Sequence, residues 1–191
     1  MKRCWCVAAF AGAMMAAAQP ADARQGGPGT AIDPVAGEIA RGNIAKSRKQ
    51  MGEAEQHYRR SADLDGSGMR GPVALAGFFA GQQRWADARA IFDQRIAKNP
   101  ADPFALFQVA RLRQAEGADL ESALALFDRF LTGPAVPNGP GPFDAWFRKG
   151  QVLDKMGRKA DAIVSFEAAL KLAPGHPGVL GELRRLRGPA R

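Results

Sequence analysis

Residues 142–175 read PFDAWFRKGQVLDKMGRKADAIVSFEAALKLAPG. Within this stretch Ala162 is followed four residues later by Phe166 and preceded twelve residues earlier by Gly150. The same spelling recurs upstream. The alanine–aromatic pairs are Ala54/Tyr58, Ala88/Phe92, Ala123/Phe127 and Ala162/Phe166, with successive alanines 34, 35 and 39 residues apart. The small residues Gly42, Ala76, Ala110 and Gly150 precede their alanines by 12, 12, 13 and 12. Two columns of small residues in register over successive units mark an internal repeat. A small residue on each of two antiparallel helices lets the backbones approach closely, and the aromatic one turn later fills the space toward the next pair. One pair cannot bury its own apolar face, so the units must stack.

These residues resemble the tetratricopeptide repeat family, whose unit is a helix–turn–helix with the pattern W-x2-L-G-x2-Y, A-x3-F and P. Trp146, Gly150, Ala162, Phe166 and Pro174 fall at that spacing, with Lys149 in the Leu place and Leu153 in the Tyr place. The second unit keeps Leu75, Ala76, Phe79, Ala88, Phe92 and Pro100. In the first unit Gly42, Ala54 and Tyr58 match, whereas Glu38 and Arg41 do not. The resemblance implies an all-α, right-handed superhelical solenoid of about four helix pairs, with units near 35–68, 69–102, 103–141 and 142–175 inside a solenoid spanning 34–174.

Turn chemistry places the helices at about 34–50, 52–64, 70–82, 84–98, 101–116, 119–131, 143–156 and 159–172. Segment 176–187 carries Val179, Leu180, Leu183 and Leu186 on one stripe and reads as a capping helix, followed by a disordered tail at 188–191. The longest step between units contains TGPAVPNGPGP, Thr132 to Pro142, which is too rich in glycine and proline for a helix. It fits either a tolerated surface loop or a lip over the concave face.

The chain opens with Lys2 and Arg3, an apolar run of 14 residues from Trp5 to Ala18, Pro20 and the small-x-small site Ala21–Ala23. A bilayer-spanning helix needs about 20 residues. Residues 1–23 therefore read as a signal peptide cut after Ala23, the alternative being an uncleaved anchor. Residues 24–33 read as a disordered leader. Both cysteines, Cys4 and Cys6, lie in the removed part. A thiol-free remainder excludes disulfides, Cys-ligated zinc and thiolate catalysis, and suits a periplasmic or secreted protein without a transmembrane segment. The net charge of +8 is spread along the chain rather than clustered, which with the export signal argues against nucleic acid.

Sites of chemistry are sparse. Asp63-x-Asp65-x-Ser67-Gly68 begins like a calcium loop, but its twelfth position is Ala74 where a bidentate Glu is needed. His57, one turn after Glu53, and His176 do not make a metal set. No G-x-S-x-G elbow or phosphate-binding loop occurs. The expectation is no enzyme, no metal and no cofactor. Trp85 and Trp146 are too few to argue for carbohydrate binding.

The first helix of each unit in this architecture lines the concave surface, at positions i, i+3, i+7 and i+10. The resulting candidate groove holds Asn43 and Lys46, then Arg70 and Val73 beside the small Gly77, then Phe104, Phe107, Arg111 and Gln114, then Phe147, Gln151 and Asp154. Phenylalanines could anchor a peptide or helix and Arg111 could fork a carboxylate. Equally, the phenylalanines could pack under the inserted loop or against neighbouring helices. The clamp with which well-known family members hold a chain-terminal carboxylate is not reproduced: Asn43 matches, but Ile39, Ala74, Phe104 and Gln108 do not. The implied function is a protein–protein scaffold of the bacterial cell envelope. Alternatives are a self-associating structural component, monomeric or weakly homo-oligomeric, or an accessory factor in cell-wall, secretion or pilus assembly.

Overall fold

The structure is a computed structural model that describes residues 33–188. The expected signal peptide and nearly all of the expected leader and tail lie outside the described residues. The described residues form helices α1 (Pro34–Ser47), α2 (Met51–Asp65), α3 (Arg70–Gly81), α4 (Trp85–Lys98), α5 (Pro103–Glu116), α6 (Leu120–Thr132), α7 (Pro142–Lys155), α8 (Lys159–Leu172) and α9 (Pro177–Arg187). No strand occurs among them. Proline in the first turn opens α1, α5, α7 and α9, where its missing N–H is no loss. Asp33 caps α1 by accepting from the Val35 and Ala36 N–H groups, and Asp102 caps α5 by accepting from Ala105.

Each helix packs on the next, and the odd helices α1, α3, α5 and α7 also touch in series. The odd helices are therefore the inner layer of the stack. Both small-residue columns sit where the helices meet. Ala54, Ala76, Ala88, Ala110, Ala123 and Ala162 are all 0% exposed, as are Phe92, Phe127 and Phe166. A Cβ on Gly150 would lie 2.7 Å from the Phe166 ring, and one on Gly42 would lie 3.1 Å from the Tyr58 ring. The closest approach is one that the repeat pattern does not mark. A Cβ on Gly71 would come within 2.2 Å of the Ser61 carbonyl oxygen, so the backbones of α2 and α3 nearly touch there. Asp65 fixes that joint by accepting the Gly71 N–H at 2.9 Å. The carboxylate that resembled a calcium ligand thus joins two units.

Within each unit, the residue seven places after the inner small residue has left-handed backbone: Lys49, Gln83, Gly117 and Gly157 at φ 62°, 60°, 77° and 77°. The tight turn between paired helices demands this conformation, which glycine meets without strain. The first two units meet it with Lys and Gln.

The first unit departs from the repeat pattern at Glu38 and repairs the departure with charge. Glu38, only 8% exposed, lies 2.7 Å from His57 Nδ1 on α2 and also accepts from Arg41. His57 is the inter-helix partner here, and Glu53 lies farther off at 3.8 Å. The hydrogen bond from His57, then the charge of Arg41, holds the Glu38 carboxyl below its ordinary value, while burial opposes them. A carboxylate with depressed folded pKa stabilises fully above the ordinary value and loses that contribution as pH falls through the folded one. The wild-type denaturation midpoint should therefore fall more steeply than that of Glu38→Gln between about pH 5 and about pH 3.

Two glycines six residues apart on α3 should respond oppositely to alanine. Gly71→Ala forces a backbone shift and should cost about 1–3 kcal/mol. A Cβ on Gly77 meets nothing within 4 Å, so Gly77→Ala should stabilise by about 0.5–1 kcal/mol through helix propensity. Urea denaturation of the two variants measures both.

Candidate functional site on the inner helices

The predicted groove residues divide into three groups. The first has been absorbed by packing. Phe104 and Phe107 are 4% and 5% exposed. Phe104 meets the Phe92 ring edge-on at 5.9 Å, and Phe107 meets Phe127 and Phe130 at 5.7 and 5.2 Å. Neither is free to anchor a partner, which corrects the expectation for both. The rings turn toward α4 and α6, and the inserted segment 133–141 adds further cover to the core. Val136 packs against both halves of the core, and a Cβ on Gly139 would sit 3.6 Å from Met69 Sδ. The segment lies against the inner layer near the start of α3 and α5. Phe147 is half-buried, stacked on Phe143 at 6.1 Å and packed on Phe166 at 5.7 Å. Val73 is half-buried against the core.

The second group is exposed, and two of its three members are engaged. Asn43 accepts a 2.6 Å hydrogen bond from the Tyr58 hydroxyl, and Arg70 pairs with Asp33 at 2.6 Å. Lys46 is exposed without a carboxylate partner among the described residues.

The third group converges. Arg111, Gln114, Gln151 and Asp154 lie where α5 and α7 run side by side. The Gln114 amide donates to Gln151 Oε1 at 2.9 Å, while Gln114 Oε1 accepts from Arg148 Nη1 at 3.3 Å. Gln108 accepts from Arg111 Nε at 3.0 Å. Next to them a cavity of about 310 Å³ is lined by Gln114, Gln151, Asp154, Lys155 and Glu182, so α9 forms part of its wall. Asp154 and Glu182 both pair with Arg185.

Arg148 was not in the predicted groove. It occupies the position of α7 equivalent to Gln108 of α5, one place beyond the stripe used to choose the candidates. Its guanidinium lies over the Phe107 ring at 5.9 Å. Burial pushes both Arg111 and Arg148 below the ordinary guanidinium value, and Arg148 repels Arg111 in the same direction. Asp144 opposes the shift at Arg148 but is not within ion-pair distance of it. The other half-buried arginines each hold a carboxylate: Arg84 with Glu55 and Asp87, Arg89 with Glu116, Arg95 with Asp102, Arg113 with Asp119. Among the described residues Arg111 and Arg148 have none. Two like charges are thus partly desolvated on neighbouring helices with no carboxylate in ion-pair contact, an arrangement that folding alone does not favour.

On the outer side, a second cavity of about 500 Å³ lies between α6, α7 and α8, lined by Trp146, Lys149, Asp128, Glu121, Arg158 and Asp161 among others. Its charges are already matched, Lys149 with Asp128 and Arg158 with Asp161 and Glu121.

Helix pairs stacked in this way, with a polar groove on the inner layer and a tight aromatic seam behind it, define a helical-repeat protein of the protein-interaction kind. Residues 143–176 match the family model of the tetratricopeptide repeat, and the fold of the described residues is the tetratricopeptide-repeat fold. No curated protein matches the chain in sequence. Among similar solved structures, a Pseudomonas aeruginosa protein described under functional characterization of pilF is 20% identical over 80% of this chain and 67% of its own, with TM-score 0.61. A tetratricopeptide repeat protein from Parabacteroides merdae is 16% identical over 81% of this chain, which spans only 58% of that protein, with TM-score 0.61. YrrB, described as having an unusual peptide-binding site, is 18% identical over 77% of this chain and 73% of its own, with TM-score 0.53. At these identities the likeness is one of fold. No helix among the described residues is long and apolar enough to cross a membrane.

The buried phenylalanines yield a clear expectation. Phe107→Ala removes a ring from the core and should lower stability by about 3–5 kcal/mol, read from the chemical denaturation midpoint.

Proposed function

We propose that this chain is an exported scaffold of the bacterial cell envelope that holds an extended segment of a partner protein along the inner faces of α5 and α7. The observation that carries the reading is the cavity walled by Gln114, Gln151, Asp154, Lys155 and Glu182, whose Gln114 also accepts from Arg148, with Gln108 and Arg111 on the same helix as Gln114. It is a groove of hydrogen-bonding groups with stacked helices behind it, suited to an extended chain whose own peptide groups need partners. YrrB offers an analogy for peptide binding on this fold. The export half of the proposal rests on residues 1–23.

Photo-crosslinking tests the groove. A crosslinking amino acid at Gln151, in the groove, should give a discrete adduct in a bacterial host. The same probe at Gln94, exposed on α4, should give none. Equal adducts from both positions would defeat the assignment. Export is checked on the purified protein, whose N-terminal sequence should begin at Arg24; a protein recovered from the cytoplasm with Met1 or Lys2 first would remove the envelope role and leave the groove standing.

A further inference from the structure

We infer that Arg111 and Arg148 together form a receptor for one side-chain carboxylate, an Asp or Glu inside the partner segment; this deepens the groove reading above and rests on it. Three features converge on that ligand. The first is charge. Both guanidiniums are half-buried on neighbouring helices, Arg148 lying over the ring of Phe107 one turn before Arg111, and neither has a carboxylate within ion-pair distance among the described residues. Every other half-buried arginine has one. An incoming anion therefore meets two charges that are already partly desolvated in the folded protein.

The second feature is aim. Gln108 and Gln114, each 6% exposed, hold the two guanidiniums through Arg111 Nε and Arg148 Nη1. A neutral amide oxygen orients a guanidinium without neutralising it. The remaining donors, Nη1 and Nη2 of Arg111 and Nε and Nη2 of Arg148, have no protein partner and are not sealed from solvent, since the one buried unsatisfied side-chain atom among the described residues is Arg113 Nε. Donors presented from two planar forks match the two oxygens of one carboxylate.

The third feature is the surroundings. Asp144 acts on Arg148, whereas Asp154 and Glu182, which line the adjoining cavity, are already held by Arg185. The Asp144 carboxylate disfavours a doubly charged phosphate more than a single carboxylate. The partner is thus a segment with one isolated acidic residue among polar ones, rather than an acidic tract.

The test uses the purified full chain after export. A displayed library of random, roughly twelve-residue peptides is selected on it, and selected peptides are resynthesised with amidated C-termini so that only side-chain carboxylates remain. Fluorescence anisotropy then measures affinity. One acidic position should recur, and its change to Gln or Asn should weaken binding to wild type by about tenfold or more. Against the R111Q/R148Q variant the same change should matter by less than about twofold, the signature of a coupled pair in a double-mutant cycle. The variant should also keep or raise the thermal midpoint, because it removes two uncompensated charges.

Several outcomes overturn the inference. Peptides that protect Gln151 from crosslinking yet show no acidic preference would sink the carboxylate receptor and leave the groove reading intact. Displacement of the peptides by inorganic phosphate as well as by free acidic peptide would assign the site to a free anion. A lowered thermal midpoint in R111Q/R148Q with unchanged peptide discrimination would reassign the arginines to structure. Failure to select any peptide that protects Gln151 would defeat the groove reading itself.

Discussion

The constraint on which this molecule depends is the distance between paired helix backbones. At Ala54, Ala76, Ala88, Ala110, Ala123 and Ala162 no side chain larger than a methyl separates the helices, and none of these residues has any exposed surface. At Gly150 and Gly71 even a methyl would be too much. Close approach creates the slot that Phe92, Phe127 and Phe166 fill completely. Protein interiors are packed at near-crystalline density, so each aromatic fixes the spacing of its own pair and the offset to the next. The stack is a series of such local decisions.

That locality explains how much could be read from the chain. Each helix lies within a few residues of its expected place, because caps, prolines and small-residue columns act within one unit. The groove was less legible. A stripe at i, i+3, i+7 and i+10 assumes that the inner face is open, and α5 violates the assumption. Segment 133–141 returns onto the inner layer and seats Val136 between the two halves of the core. Its glycines and prolines announce a loop but not where the loop rests. The available signal was Val136 itself, a large aliphatic residue in an otherwise small and polar insertion, together with two phenylalanines on the helix opposite. Gly71 was missed for a different reason: it makes a joint between units, whereas the repeat pattern marks joints within them.

Charge follows the same division. Arg84 reaches from the start of α4 to Glu55 on α2, Arg89 to Glu116 on α5, Lys149 to Asp128 on α6, and Arg185 and Arg187 on α9 to Asp154 and Glu167. Exposed pairs of this sort add little stability individually. Their value lies in register, since each one matches a particular helix to its neighbour. The first unit uses the same device internally, with Glu38 and His57 in place of the larger apolar contact found in later units. Many of the basic residues are therefore bound into joints, and their even spread along the sequence reflects the even spacing of those joints.

Against that background Arg111 and Arg148 stand out through what they lack. A solenoid could relieve them cheaply: Gln114 or Gln108 as glutamate would place an acid beside one guanidinium at no cost in volume. The chain instead surrounds them with glutamine amides, which orient donors and leave the charge unanswered. A neutral, hydrogen-bonded shell is what a preorganised anion receptor requires, because a resident carboxylate would compete with the incoming one. The destabilisation is tolerable because the stack distributes its stability over many small seams, so one strained inner face does not threaten the fold. Rigidity at the aromatic seam and unspent charge on the inner face are thus two consequences of one design: the first holds α5 and α7 at a fixed separation, and that separation sets the gap across which two guanidiniums can share a ligand.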